Sequence, residues 1–215
     1  MAIEIKLTTT SMPTQRSVLN VGGGTKAIAI PDRFKGWVHH LLDIDPRGKP
    51  DVVCDARLLE TLQGGVYDAV YCSHNLEHYF AHDVPKVLRG FHHVLKPDGF
   101  IEVRVPDLKS VMEFAVANQL DLTDKLYDSG RGPIMVRDVI YGFGKEIEES
   151  GQDFYAYKTG FSPKTLARAI ATAKFEHLVM MGGRFELRAY GFKVEPSKAW
   201  LTELGLTASP PPGRT

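Results

Sequence analysis

Short apolar runs closed by turn residues mark the first half of the chain. SVLNVGGG (17–24) reads as a buried strand running straight into a glycine turn. VHHLLDID (38–45) predicts a second strand ending in acids, PDVVCDA (50–56) a short third, and YDAVYC (67–72) a fourth. Residues 25–36 have room to start a helix, but Pro31 limits it to a short or broken one. Over DVPKVLRGFHHVLK (83–96) the period changes: Val84, Val87, Leu88, Phe91, Val94 and Leu95 follow the helical repeat. Pro97-Asp98-Gly99 then signals a turn, and GFIEVRVP (99–106) a fifth strand. This alternation belongs to an α/β fold with a mostly parallel sheet and helices on both faces.

The pattern loosens over 107–160. Helical pieces (LKSVMEFAVANQ and a second over 121–128) alternate with the glycine-rich loops SGRGP and YGFGKE and the tyrosine-rich run FYAYKTGF. So long a connection inside a compact domain points to a working part, here a lid over a substrate. SPKTLARAIATAK (162–174) follows as a helix with Ser162 as N-cap and Pro163 in its first turn. FEHLVMM (175–181), Gly182-Gly183 and RFELRAYGFK (184–193) read as an antiparallel hairpin. The implied organisation is an N-terminal arm (1–16, with a short strand at IEIKL), one domain over 17–193 with the lid at 107–160, and a terminal stretch of a last helix and a disordered tail (194–215).

Composition narrows the class. The 215 residues suffice for one α/β domain with a full core. Lys+Arg and Asp+Glu both total 26, and a net charge of zero argues against a nucleic-acid backbone as the main partner, so a small-molecule partner is expected instead. Two cysteines, Cys54 and Cys72, exclude a disulfide scaffold and suit a reducing cytoplasm. Neither belongs to a zinc-type pair. No signal-peptide core and no apolar run of about 18–20 residues is present, so no membrane partner is expected. The oligomeric state is not readable.

Candidate chemistry gathers at the strand ends. Gly22-Gly23-Gly24 lets backbone approach a ligand that a Cβ would push away. Asp43 and Asp45 close the second strand, where an acid can accept hydrogen bonds from a ribose diol, and Asp55 closes the third, within reach of an adenine amino group. Gly22, Gly24 and Ala27 also satisfy G-x-G-x-x-A, which keeps a nicotinamide dinucleotide as an alternative ligand.

LNVGGGTK, LLDIDPRGKPDVVCDARLL, YDAVYCSHNLEHY and FHHVLKPDGFIEVRVPDL resemble, in that order, successive motifs of class I S-adenosylmethionine-dependent methyltransferases. The nearest resemblance is to small bacterial members with a "shxLEH" segment and an "LKPxG" turn. It covers 17–107 well and 162–193 moderately. It implies a Rossmann-like seven-stranded sheet whose last two strands are antiparallel. It also implies S-adenosylmethionine as cofactor and methyl transfer to a small-molecule acceptor by in-line displacement. Carried over by position, Gly22, Gly23 and Gly24 lie against the methionine part, Asp43 with Ile44 holds the ribose, Asp55 with Ala56 contacts the adenine, and Ser73 sits near the sulfonium. Asn20 stands where many members have an acid. That departure leaves room for a regulator or partner subunit that binds the cofactor without turnover.

His74, Glu77 and His78 of SHNLEH share one face if the segment is helical. Three readings compete: an acceptor-pocket wall in which a histidine serves as base, a metal site, or solvated polar residues at a helix start. The first is preferred, with His78 as the base, His74 second, Glu77 beside the substrate and no metal. Tyr141, Tyr155 and Tyr157 on the lid are the remaining substrate candidates.

Overall fold

A computed structural model describes residues 15–206. Most of the expected N-terminal arm and the proline-rich end (208–215) fall outside them.

Seven strands form one sheet in the order β3-β2-β1-β4-β5-β9-β8. They are β1 (Ser17–Val21), β2 (Val38–Asp43), β3 (Val52–Val53), β4 (Tyr67–Ser73), β5 (Leu95–Pro106), β8 (His177–Gly182) and β9 (Glu186–Phe192). The first five run parallel; β9 pairs antiparallel with both β5 and β8. The hairpin expected over 175–193 is therefore present, inserted with its second strand inside the sheet. The strand order reverses beside β1, which pairs with β2 on one side and β4 on the other. In open sheets such a reversal opens a crevice beyond the carboxyl strand ends.

One sheet face carries α1 (Val84–Val94) and α5 (Pro163–Thr172). The five apolar positions from Val84 to Val94 that set the α1 period are all buried there. Ser162 caps α5 by accepting from the Thr165 N–H, with Pro163 in the first turn. The turn signal Pro97-Asp98-Gly99 sits inside β5 as an irregularity: Tyr67 pairs with Leu95, but Ala69 pairs with Phe100.

The other face is more thinly covered. No α-helix follows the glycine turn; the chain makes one 3-10 turn, Asp32–Phe34, directly after Pro31. Phe34, Trp37 and Trp200 of α6 (Lys198–Glu203) close over Tyr71, Phe100 and Phe192.

The lid corrects one expectation. The helix expected over 121–128 is replaced by β6 (Lys125–Ser129), which pairs antiparallel with β7 (Gly132–Met135). SGRGP supplies the hairpin turn, with Gly132 at φ 112° where a side chain would be strained. Leu126 and the β-favouring Tyr127 and Ile134 pack with Val111 and Val136 in a small separate core. Cross-strand partners therefore override a weak helical preference. Around them lie α2 (Leu108–Ala117), α3 (Val136–Tyr141) and α4 (Gly144–Ser150).

Candidate functional site

The carboxyl ends of β1, β2 and β4 open into a cavity of about 800 Å³ roofed by the lid. On its floor, backbone geometry requires glycine. Gly22 has φ 72°, and a Cβ there would lie 2.0 Å from Asn75 Nδ2; one on Gly23 would lie 2.2 Å from Asn20 Nδ2. Gly24, at φ 67°, faces open space apart from Ile28 at 3.7 Å. Asn75 and Asn20 fill the room on either side of the loop, so bare backbone is presented to the cavity.

Asp43 shapes this loop. It is 8% exposed; Oδ2 accepts from the Gly24 N–H (2.8 Å) and Oδ1 from the Asp45 N–H (2.9 Å). A carboxylate has about four lone-pair positions, so each oxygen keeps one for a ligand.

The next two acids repeat one device. In Asp45-Pro46-Arg47 the Asp45 carboxylate accepts from the Arg47 N–H and its guanidinium. In Asp55-Ala56-Arg57 the Asp55 carboxylate does the same with Arg57, which also reaches Asp83 at 3.3 Å. The Arg47 hydrogen bonds outweigh burial and hold the Asp45 carboxyl at about 2. Tyr155 of the lid donates to Asp45 Oδ2 (3.3 Å), tying roof to floor.

SHNLEH is not a helix. Ser73 ends β4, His74 takes the left-handed conformation (φ 49°), and only Leu76–His78 forms a 3-10 turn. The three polar residues therefore do not share a helical face. His74 Nε2 lies 3.1 Å from Glu186 and Nδ1 3.5 Å from Glu77. Nε2 is within hydrogen-bond distance of Glu186, while the buried Glu77 carboxyl lies near Nδ1 without a hydrogen-bond partner of its own. Burial disfavours the imidazolium, but the Glu186 hydrogen bond and the nearby Glu77 carboxyl outweigh it and push the ring up to about 10. His74 is thus a cation at neutral pH and does not suit the base role expected second for it.

His78 differs. Its Nδ1 lies 3.3 Å from the Ala156 carbonyl oxygen. A carbonyl cannot donate, so Nδ1 carries the proton and Nε2 is left as the acceptor. Tyr157 meets the ring edge-on at 5.0 Å, and burial pushes the tyrosine's phenol up. The Glu77 side chain is 1% exposed, while its carbonyl oxygen accepts from the lid N–H groups of Lys158 (2.8 Å) and Thr159 (3.2 Å). SHNLEH therefore latches the lid through backbone and imidazole contacts.

Most of the expected site residues meet here. Asn20, Gly22, Gly23, Gly24, Asp43, Ile44, Asp55, Ser73, His74, His78, Tyr155 and Tyr157 line the cavity. Three do not. Ala56 is buried at 1% exposure and Glu77 lies beneath the wall, while Tyr141 is 62% exposed and outside the lining. Leu76, the neighbour of Glu77 in the turn, packs into the main core, and the Glu77 carbonyl oxygen is taken by the Lys158 and Thr159 N–H groups. Sequence reasoning missed Arg57, Asp83, Phe80, Phe154 and Lys158, which also line the cavity. A readable signal existed for Arg57: the same Asp-x-Arg step occurs at 45–47 and 55–57, each time after a strand. Among the described residues no group of three or more His, Cys, Asp or Glu could hold a metal ion.

The charge on His74 has a measurable consequence. A folded value near 10 against an ordinary 6.5 means that its stabilisation is complete below about pH 6.5 and is lost as pH rises towards 10. Half of this side chain is exposed, so screening holds the effect to about 1 kcal/mol or less. The stability gap between wild type and His74→Gln is expected to narrow over that window. By NMR, the His74 ring signals should stay constant between pH 6 and 8. A titration centred near 6.5 would contradict the double carboxylate contact.

The sequence profile of the family described as "Methyltransferase domain" matches residues 4–141. The chain belongs to this family. S-adenosylmethionine is its cofactor, and the glycine cradle, Asp43 and the cavity volume fit such a group. A SAM-dependent methyltransferase from Archaeoglobus fulgidus has a similar fold, with TM-score 0.54 and 15% identity over 84% of this chain and 87% of that one. A SAM-dependent methyltransferase from Methanosarcina mazei gives 0.53 and 11% over 86% and 95%. A structure described as PigF with SAH gives 0.52 and 14% over 83% and 50%. None of the curated proteins matches the sequence. Among the described residues, no helix of this methyltransferase-family chain is long and apolar enough to cross a membrane.

Proposed function

We propose that this protein transfers a methyl group from S-adenosylmethionine to a small-molecule acceptor held between SHNLEH and the lid, with His78 as general base. The observation that carries the reading is the single cavity joining the glycine loop and Asp43 to His78 and the lid tyrosines. Asn20, the glycine loop, Asp43 with Ile44, Asp55 and Ser73 would hold the cofactor, which when bound supplies an activated methyl group.

The chain's own work is alignment, exclusion of water and removal of a proton. Tyr155 closes the lid onto Asp45, and Glu77 and His78 hold the lid segment 156–159 from below. This keeps the acceptor in a partly enclosed space, where orientation lowers the barrier. The Ala156 carbonyl fixes the His78 tautomer, so Nε2 is the atom that takes a proton from a hydroxyl or other protonated nucleophile. Ala56, Glu77 and Tyr141 are left out of direct contact.

Calorimetric titration of the wild type is expected to show binding of S-adenosylmethionine and S-adenosylhomocysteine but not of NAD. With an acceptor found by screening, His78→Ala is expected to lower turnover about 100- to 1,000-fold while leaving S-adenosylhomocysteine affinity within twofold. Tight NAD binding would overturn the cofactor half of the reading. Unchanged turnover in His78→Ala would overturn the base assignment alone.

A further inference from the structure

Every cationic side chain lining the cavity except one has a carboxylate within 4.0 Å. Arg57 is held by Asp55 and Asp83, Arg131 by Glu146, and His74 by Glu77 and Glu186. Lys158 also lines the cavity, yet no carboxylate lies within 4.0 Å of its Nζ among the described residues. Its backbone is pinned, because its N–H donates to the Glu77 carbonyl oxygen. Its ammonium stands 5.7 Å from the centroid of the Phe80 ring. A lysine without an acid, its backbone held at a fixed place in a pocket, offers its charge to an anionic group of a bound ligand.

The surroundings of this cation are aromatic. Phe80, Tyr79, Phe154, Tyr155 and Tyr157 all face the same cavity. Flat ring surfaces bind planar groups by stacking and edge contacts. His78, with its free Nε2, stands against Tyr157 and two residues before Phe80.

We propose that the methyl acceptor is a planar aromatic compound bearing an anionic group such as a carboxylate, and that Lys158 pairs with that group. This deepens, and rests on, the reading of the cavity as a methyl-transfer site. Lys158 fixes which edge of the ring turns outwards, and so which substituent is presented to His78. It is a specificity-determining residue and takes no part in proton transfer. The competing source of an anion is the carboxylate of the cofactor itself, and the two are separable by experiment.

The test uses the full chain saturated with S-adenosylhomocysteine, titrated with 3- and 4-hydroxybenzoate and 4-hydroxycinnamate, and with the corresponding neutral amides. The carboxylates are expected to bind at least tenfold tighter than their amides. Lys158→Gln is expected to erase that difference and Lys158→Arg to keep most of it, with S-adenosylhomocysteine affinity unchanged in both. Equal affinity for every acid and its amide, or a preference that survives in Lys158→Gln, overturns the proposal. A loss of S-adenosylhomocysteine affinity in Lys158→Gln overturns it too, because the lysine then serves the cofactor. If the wild type does not bind S-adenosylhomocysteine at all, the methyl-transfer reading itself has failed, and this result is distinct from the others.

Discussion

Asp43→Ala is expected to weaken S-adenosylhomocysteine binding about 30- to 150-fold, the equivalent of about 2–3 kcal/mol. Two losses combine. The carboxylate is the acceptor best placed at the β2 end to take a ribose hydroxyl, and hydrogen bonds to charged groups contribute about 1.5–3 kcal/mol. It also holds the Gly24 and Asp45 N–H groups at 2.8 and 2.9 Å, so alanine frees the glycine loop as well. Asp43→Asn separates the two, since its one remaining oxygen can keep only one of those backbone contacts and its amide donates where the other stood. Its affinity is expected to fall between wild type and alanine. Calorimetry measures the affinities, and a thermal melt of each variant without ligand shows how much of the loss is loop order. Alanine binding within threefold of wild type would mean that the ribose lies elsewhere.

That site was legible because each part depends on local chemistry. A glycine turn after an apolar strand, and acids closing the next two strands, need only the chain direction and the parallel order to be brought together. The same holds for α1 and α5, whose buried stripe and Ser162 cap are written in contiguous residues. Where partners are remote, the reading failed. The conformation of the segment 121–128 is settled by β7 and by Val111. His74 is paired with Glu186, over a hundred residues away, and the Glu77 backbone with the lid residues Lys158 and Thr159. A histidine pattern that suits a helix face was broken by one left-handed residue, which sequence spacing does not reveal. Lys158 was hidden for the same reason. Its significance is the lack of a carboxylate partner, which shows only beside the paired Arg57, Arg131 and His74 of the same cavity.

Glu102→Leu is expected to cost about 3–5 kcal/mol of stability, the second large effect, although the residue lies outside the cavity. The face of the sheet that a helix after the glycine loop would cover has only the 3-10 turn at 32–34, Trp37 and α6. The strands beneath it compensate with charge. FIEVRV alternates, placing Ile101, Val103 and Val105 against α1 and α5 and turning Glu102 and Arg104 to the thin side. Glu102 is 0% exposed, and its Oε1 accepts from Arg104 Nε at 3.0 Å and Nη2 at 2.7 Å. Arg33 reaches Oε2 at 3.5 Å and Arg188 reaches Oε1 at 3.9 Å, so one buried carboxylate faces three guanidinium groups. Removing it leaves like charges crowded in a poorly hydrated place, the condition in which breaking a buried ion pair is most damaging. For a domain of this size the melting temperature is expected to fall by about 6 to 20 °C. Adding Arg104→Met to Glu102→Leu removes the nearest stranded charge and is expected to restore a large part of the loss. If Glu102→Leu melts within 3 °C of wild type, water reaches the cluster and the thin face is solvated. If the double variant is no better than the single, the cost comes from lost packing and not from unpaired charge.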